Sequence, residues 1–183
     1  MRYVGIFFKY FFRNILRPLS FVPAVVMMYI IFQFSASPAV ESTGVSSGVC
    51  MKIVNLADET LELGYSYEHK AYLAQKIEYP VRKLAHFSEY GLLAVCVALP
   101  FYVYGLRGIW LVLLTCFICG GYACTDEFHQ SFVPGRSPQL KDVCIDTAGA
   151  FCGVIFTRIV GFIGRKTIFR PLCNEPKKKR SRE

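Results

Sequence analysis

The sequence predicts an all-α protein: a polytopic membrane helix bundle with four transmembrane helices and short interfacial helices. Three observations lead to this fold class. Hydrophobic residues make up 54% of the 183 residues and charged residues only 19%. Four apolar runs approach or exceed the roughly 18 residues that cross a bilayer, whereas a soluble domain of this size would bury one such helix. Basic residues are concentrated at the two ends of the chain, outside the apolar runs.

The N-terminal segment, residues 1–17, is basic and contains no acid. Within it, "YVGIFFKYFFRNILR" places basic residues at every fourth position, which is typical of an amphipathic helix lying in the membrane interface. The first apolar run follows, and we expect a span over about 19–35. A cleaved signal peptide is the alternative. The length of the basic segment and a proline beside the cleavage position, Pro38, favour a retained anchor.

Residues 36–82 are expected to form a long loop outside the membrane. It begins with "SASPAVESTGVSSG", whose glycines, serines and proline predict irregular structure. Two later stretches, "MKIVNLADETLEL" and "EHKAYLAQKIEY", each predict a short helix on the membrane surface. Pro80 is expected to break the chain just before the second span. The tyrosines suited to the headgroup level are Tyr65, Tyr67, Tyr72 and Tyr79.

The other three spans are expected over about 84–104, 108–125 and 143–162. The turn "YGLRG" between the second and third spans is very short, so these two should be antiparallel neighbours. In the fourth span, "GAFCG" places two glycines four residues apart, which predicts close contact with another helix. The membrane domain as a whole then covers residues 18–164.

The net charge of +8 reflects topology in this interpretation. The tail, residues 165–183, carries eight basic residues and two acids. Because lysine and arginine accumulate on the cytoplasmic side, both ends of the chain are expected there, as an even number of spans requires. The run "KKKR" suits contact with anionic lipid. No nucleic-acid partner is expected.

Polar side chains converge on the outer membrane interface. "VRKLAHFSEYG" opens the second span with polar residues three and four apart, on one helical face. "TDEFHQSFVPGR" follows the third span, and two aspartates one turn apart open the fourth. Ionisable residues inside spans normally face a bundle interior or a water-filled cavity. The plainer alternative is snorkelling, ion pairing and helix capping, but it accounts poorly for so many polar groups on one side.

These motifs resemble the VanZ-like family of small bacterial membrane proteins. "RKLAHFSEYGLL" and "DEFHQSFVPGRSPQLKDVCIDTAGAFCG" fill the family pattern R-K-x-x-H-x-x-E-Y, D-E-x-H-Q-x-x-x-P-G-R and D-V-x-x-D-x-x-G at every position. The resemblance covers roughly residues 18–164. It implies a bacterial cytoplasmic-membrane location and a role in the envelope, since the founding member is associated with resistance to the glycopeptide teicoplanin. It implies no settled reaction.

We expect an outward-facing pocket that binds an anionic envelope lipid or lipid-linked cell-wall precursor and could modify it. Histidines and carboxylates would move protons at such a site. The candidate catalytic residues are His86, Glu89, Asp126, His129 and Asp146. The candidate substrate-binding residues are Arg82, Lys83, Tyr90, Glu127, Gln130, Arg136 and Asp142. Arg136, directed by the "PGR" turn, would pair with an acid of the pocket and switch to the phosphate of a bound lipid.

Two alternatives stay open. The same pocket could bind, carry or shield a lipid or glycopeptide without chemistry. The histidines and carboxylates could ligate zinc or manganese, although nearby basic residues argue against a metal, and no metal or other cofactor is expected. No nucleophile can be identified, because the serines beside the motifs could be ordinary helix or turn residues. The partners expected are membrane lipids, and a homo-oligomer is also compatible with the sequence.

Overall fold

The structure, a computed structural model, describes residues 18–166, with side chains up to residue 163. The predicted interfacial segment 1–17 and the basic tail beyond residue 166 lie outside the described residues. Helices account for nearly all of the described chain, which contains no strand, so the predicted all-α class is confirmed. The helices are α1 (Val22–Ala36), α2 (Ala39–Leu61), α3 (Tyr67–Val103), α4 (Gly108–Gln130) and α5 (Leu140–Lys166).

Three of these helices, α3, α4 and α5, are long and apolar enough to cross a bilayer. Helices α1 and α2 meet that condition only as a pair, and the pair is bent by 105° at the break between them. The described residues therefore provide three spans, or four if the bent pair counts as one. This confirms the prediction of a polytopic membrane helix bundle, and α1 occupies the position of the predicted first span.

The segment after α1 is helical, so the prediction of irregular structure there was wrong. Helix α2 begins directly after Pro38, which stands at its N-cap, and runs to Leu61. Serine and glycine are poor helix formers, but tertiary packing can override propensity. Here Cys50 and Val54 of α2 are buried against Ala74 of α3. The apolar face of the second half thus stabilises a helix whose first half is weak.

The expected break at Pro80 is also wrong, because α3 continues through it for 37 residues. At 1.5 Å per residue this helix is about 55 Å long, more than the roughly 30 Å of a bilayer core. Pro80 is exposed on the helix surface. Proline has no N–H, so the carbonyl four residues earlier lacks its helical donor. Because the position is exposed, solvent can donate to that carbonyl instead. The continuous helix joins the predicted surface helix to the predicted second span.

The closest contact in the bundle lies between α3 and α5, where glycines replace side chains. A Cβ atom at Gly149 would lie 2.1 Å from the Phe87 carbonyl oxygen. One at Gly153 would lie equally close, 2.1 Å, to the Gly91 carbonyl oxygen. No side chain fits at either position, so the two backbones touch. The close contact predicted from "GAFCG" is confirmed.

Helix α1 packs on α3 and α4 through Met27 and Ile31, which join a core cluster containing Tyr90 and Leu93. The Tyr122 hydroxyl of α4 also donates a hydrogen bond to the Met28 carbonyl of α1, at 2.5 Å. Because this contact ties α1 to the bundle, the end of α1 has a fixed position beside α3. That position determines one wall of the site.

Candidate functional site

Polar side chains gather at one end of the bundle, called here the polar end. It comprises the middle of α3, the last turns of α1 and α4, loop 131–139 and the first turns of α5. All twelve predicted site residues lie in these segments. Eleven of them form three groups: residues that line a cavity, residues buried behind it, and residues that tie helices together. His129 lies apart from all three groups.

The cavity is open, has a volume of about 410 Å³ and lies between α1, α2, α3 and the loop. Four predicted site residues line it, namely Arg82, His86, Glu89 and Arg136. Much of the remaining wall is apolar: Ile31, Phe34, Val45, Val49, Val81 and Ala85. The wall also includes two carboxyl groups, those of Glu41 and Glu89. The two guanidinium groups beside the apolar side chains suit the cavity to an anion that carries a hydrocarbon part.

Arg82 is held by groups on its own helix and on α2. It forms an ion pair of 2.7 Å with Glu78, one turn earlier. Its Nη2 also donates to the hydroxyls of Ser46 and Thr43, each at 3.2 Å. The Nε atom of Arg82 is buried and has no hydrogen-bond partner among the described residues. Arg82 therefore lines the cavity with part of its guanidinium group uncommitted.

Arg136 is held by main-chain carbonyls, not by the acids expected from the sequence. Its Nη2 donates to the carbonyls of Ser37 at 3.2 Å and Phe34 at 3.4 Å, and its Nε donates to that of Ser37 at 3.4 Å. These carbonyls belong to the C-terminal end of α1, where the last helical acceptors have few backbone donors. The expected pairing of Arg136 with an acid is wrong, because these carbonyls, and no described acid, lie within bonding distance of it.

The loop that carries Arg136 is pressed against the start of α2. Gly135 has a φ of +77°, which a residue with a Cβ rarely adopts, and a Cβ there would meet that of Ala39 at 3.0 Å. The Ala39 N–H donates to the Pro134 carbonyl at 3.3 Å. Burial lowers the pKa of the Arg136 guanidinium, and the positive charge of Arg82 lowers it further. The two cations therefore influence each other across the cavity.

Behind the cavity, Tyr90, Asp126 and Asp146 are almost completely buried, with exposed fractions of 0%, 3% and 1%. Gln130 Nε2 donates to one oxygen of Asp126 at 3.1 Å. The other Asp126 oxygen, both Asp146 oxygens and the Tyr90 hydroxyl have no hydrogen-bond partner among the described residues. Buried polar atoms are nearly always paired, so this concentration is unusual.

Three of the predicted ligand-binding residues join helices instead. Lys83 of α3 forms an ion pair with Asp142 of α5, and both side chains are largely buried. Glu127 accepts a hydrogen bond of 2.9 Å from the main-chain N–H of Gln139, which fixes the loop before α5. These contacts leave Lys83, Glu127 and Asp142 engaged within the protein.

His129 lies apart from His86, against α1. Its ring is 4.5 Å from that of Phe32, centroid to centroid, and it does not line the cavity. The two histidines are alike in one respect: the Nδ1 atom of each is buried without a hydrogen-bond partner among the described residues. Of the two, His86 is the one placed to reach a ligand in the cavity.

Sequence reasoning missed the contribution of α1 and α2. Ser35, at 2% exposure, lines the cavity, and its hydroxyl has no partner in the described chain. Ser42 and Ser46 line it from α2. The signal that could have identified this wall is a spacing of four residues, which separates Ser42 from Ser46 and Val45 from Val49. This spacing places each pair on one face only if the stretch is helical, and its composition does not predict a helix.

The metal alternative finds no support in the geometry. Within residues 18–166, no three histidine, cysteine, aspartate or glutamate side chains are arranged to hold a metal ion. The candidate ligands are distributed over three places: the cavity wall, the buried group and the contact with Phe32.

The family model described as VanZ/LLP1 matches residues 20–161 of the chain. This range includes every element of the polar end. No curated protein and no solved structure gives a significant match.

Proposed function

The chain belongs to the VanZ/LLP1 family, and we propose that its cavity binds the anionic headgroup of a membrane lipid or lipid-linked envelope precursor. The observation that carries the proposal is the presence of both Arg82 and Arg136 on the wall of a cavity that also has a set of apolar side chains. Guanidinium groups bind phosphate by two parallel hydrogen bonds. The apolar wall suits the beginning of an acyl or prenyl chain.

The partners of the two arginines support this function. Arg82 is held by an acid and two hydroxyls, and Arg136 by carbonyls at 3.2–3.4 Å, near the long end of hydrogen-bond distances. A phosphate oxygen is a stronger acceptor for a guanidinium than a neutral carbonyl. A headgroup can therefore replace some of these contacts without leaving a cation unpaired.

Chemistry on the bound lipid would depend on His86 and Glu89. They are one turn apart on α3 and both line the cavity. A histidine can accept a proton from a nucleophile or give one to a leaving group near neutral pH. The hydroxyl of Ser35 lies in the same wall. The alternative function is binding, transport or shielding of a lipid or glycopeptide, for which the cations suffice.

We place the cavity at the outer face of the bacterial cytoplasmic membrane, with both ends of the chain in the cytoplasm. The basic residues at both ends support this orientation. An outer-face site suits an envelope substrate and a link to glycopeptide resistance. A phosphatase reporter fused after Glu183 should stay inactive, as expected in the cytoplasm. An active fusion would place the cavity on the opposite side and exclude an outer-face substrate.

Lipid binding is tested with the purified protein and a short-chain phosphatidylglycerol in detergent. Saturable binding that the double variant Arg82→Gln/Arg136→Gln abolishes is the expected result. Unchanged binding in that variant would contradict the proposal.

Chemistry is tested separately, by mass spectrometry of lipid extracts from cells with the wild-type protein or His86→Gln. A headgroup difference between the two strains favours an enzyme, whereas identical extracts with intact binding favour the alternative.

A further inference from the structure

The buried group behind the cavity contains more negative charge than the surrounding protein neutralises. Of the four carboxylate oxygens of Asp126 and Asp146, three have no hydrogen-bond partner among the described residues. The Tyr90 hydroxyl is buried and unpaired as well. All three residues are more than nine-tenths buried. A polar or charged group enclosed in this way is unfavourable unless another group compensates it.

Helix packing brings the three residues together at the junction of α3, α4 and α5. Gly149 touches the α3 backbone at Phe87, so Asp146, one turn earlier in α5, faces the same stretch of α3. The rings of Tyr90 and Tyr122 are 6.2 Å apart, and Asp126 follows Tyr122 by one turn of α4. Each of the two aspartates is within electrostatic range of Tyr90 and of the other aspartate.

The cations around this junction are engaged elsewhere. Lys83 is paired with Asp142, Arg82 with Glu78, and Arg136 with the end of α1. The titratable and charged groups that face the junction are Lys83, His86 and Glu89 of α3, Cys119, Tyr122 and Glu127 of α4, Asp142 of α5 and Arg136 of the loop. Within the described residues, no cation forms an ion pair with Asp126 or Asp146.

We propose that Asp126 and Asp146 form a proton-binding site inside the bundle, in which two carboxyl groups share one proton at neutral pH. A shared proton halves the buried charge and provides a donor for one unpaired oxygen. The Tyr90 hydroxyl, buried at the same junction without a partner among the described residues, is a further donor there. A proton fits better than a metal ion, because no cluster of three metal-ligating side chains exists in residues 18–166.

The proton site goes beyond the proposed lipid binding and does not depend on it. If the cavity does bind an anion, the two sites are coupled electrically. His86 and Glu89 of the cavity wall lie within one turn of Tyr90 on α3. Negative charge entering the cavity would then favour proton uptake by the pair. Intramembrane carboxylates used for proton binding face a bundle interior in this way.

The test is infrared spectroscopy of the purified full-length protein in detergent, without any ligand. Labelling aspartate alone with ¹³C at the side-chain carboxyl removes the glutamates from the measurement. We expect a protonated aspartate C=O band at neutral pH that shifts in D₂O. Asp126→Asn and Asp146→Asn should each abolish it, because the introduced amide supplies the donor that the proton had supplied to the remaining carboxylate. Asp58→Asn, which removes a carboxylate paired with Lys70 between α2 and α3, should leave the band unchanged.

Several outcomes would overturn the proposal. One is the absence of the band from the wild-type protein at neutral pH, which decides the question even if the variants do not fold. A band that appears only after Na⁺ is replaced by N-methylglucamine would show that the pair holds Na⁺. Loss of the band in Asp146→Asn but not in Asp126→Asn would show an isolated protonated aspartate and no shared proton. Since the measurement contains no lipid, failure here and failure of lipid binding remain distinguishable.

Discussion

The cavity wall and the buried junction of the polar end are built from ionisable residues, but they differ in how these residues are paired. On the cavity wall, Arg82 and Arg136 have partners: a carboxylate, hydroxyls and main-chain carbonyls. At the junction, Asp126 and Asp146 have almost none. The arginines of the cavity wall are therefore compensated by partners, whereas the carboxylates of the junction are not.

This difference separates two roles. The partners of the two arginines come from α1, α2 and the preceding turn of α3, and a ligand in the cavity can approach and replace them. The junction is enclosed by α3, α4 and α5, and the glycine contacts of α3 with α5 keep a lipid headgroup out. Recognition of an anion is thus possible at the wall, while the junction can exchange only something as small as a proton.

The largest effect is expected from Gly153→Ala, which would disrupt the packing of α3 on α5 that supports both the cavity wall and the junction. The added Cβ would lie 2.1 Å from the Gly91 carbonyl oxygen, and a main-chain atom cannot move without separating α3 from α5. We expect the free energy of unfolding to fall by about 3 kcal/mol or more. Thermal unfolding of the detergent-solubilised protein measures it.

Gly121→Ala is the matched control, because a Cβ at this position meets nothing within 4 Å. Alanine also has the higher helix propensity, so this variant should be unchanged or more stable by up to about 1 kcal/mol. Equal stability of the two variants would show that the helices can separate slightly at little cost, and that the junction is less rigid than its glycines indicate.

The second largest effect is expected from Arg136→Lys, which changes the cavity wall and not the junction. Arg136→Lys retains the positive charge but loses the planar donor arrangement, so we expect affinity for short-chain phosphatidylglycerol to fall about tenfold. Binding titrations measure it. Arg158→Lys, an exposed substitution in the last part of α5, should leave binding unchanged. Wild-type affinity in Arg136→Lys would leave Arg136 with a structural role at the end of α1 and assign anion recognition to Arg82.

The third largest effect is a difference in stability between variants of two aspartates that lie one turn apart in α5. Asp142→Asn removes the partner of Lys83, whose side chain is 16% exposed, so an unpaired cation is left in a largely buried position. We expect a loss of about 1–3 kcal/mol in the free energy of unfolding. Asp146→Asn removes an unpaired carboxylate and should be neutral or stabilising. Thermal unfolding of both variants measures the difference, and equal losses would contradict the distinction between paired and unpaired acids.

The helices that cross the bilayer could be predicted because their signal is local. Length and hydrophobicity identify α3, α4 and α5, and "GAFCG" identifies the α3–α5 contact, since two glycines four residues apart lie on one face. Helix α2 could not be recognised in the same way. Its serines and glycines argue against a helix, and the contacts of Cys50 and Val54 that stabilise it come from α3.

The candidate site was predictable as a list of residues but not as an arrangement. Helical spacing and topology bring the twelve residues to one end of the bundle. Which of them pair depends on atoms that carry no sequence signal. Arg136 binds carbonyls at the end of α1, and the sequence cannot reveal that this end lies beside the loop. Pro80 is a similar case, because only its exposure explains why α3 continues through it.

The smallest effect is expected from Ser46→Ala on the cavity wall. The Ser46 hydroxyl accepts from Arg82 at 3.2 Å and donates to Glu78 at 2.9 Å. Its removal leaves the guanidinium held by Glu78 and Thr43 alone, so one acceptor fewer competes with a ligand. A hydrogen bond shared among several acceptors contributes at the low end of about 0.5–1.5 kcal/mol, so affinity for phosphatidylglycerol should rise by about threefold. Ser47→Ala, on the exposed side of the same helix, should have no effect.

A fall in affinity in Ser46→Ala would instead mean that Ser46 contacts the ligand. The partners of Arg82 would then belong to the binding surface, and they would not be groups that the ligand replaces.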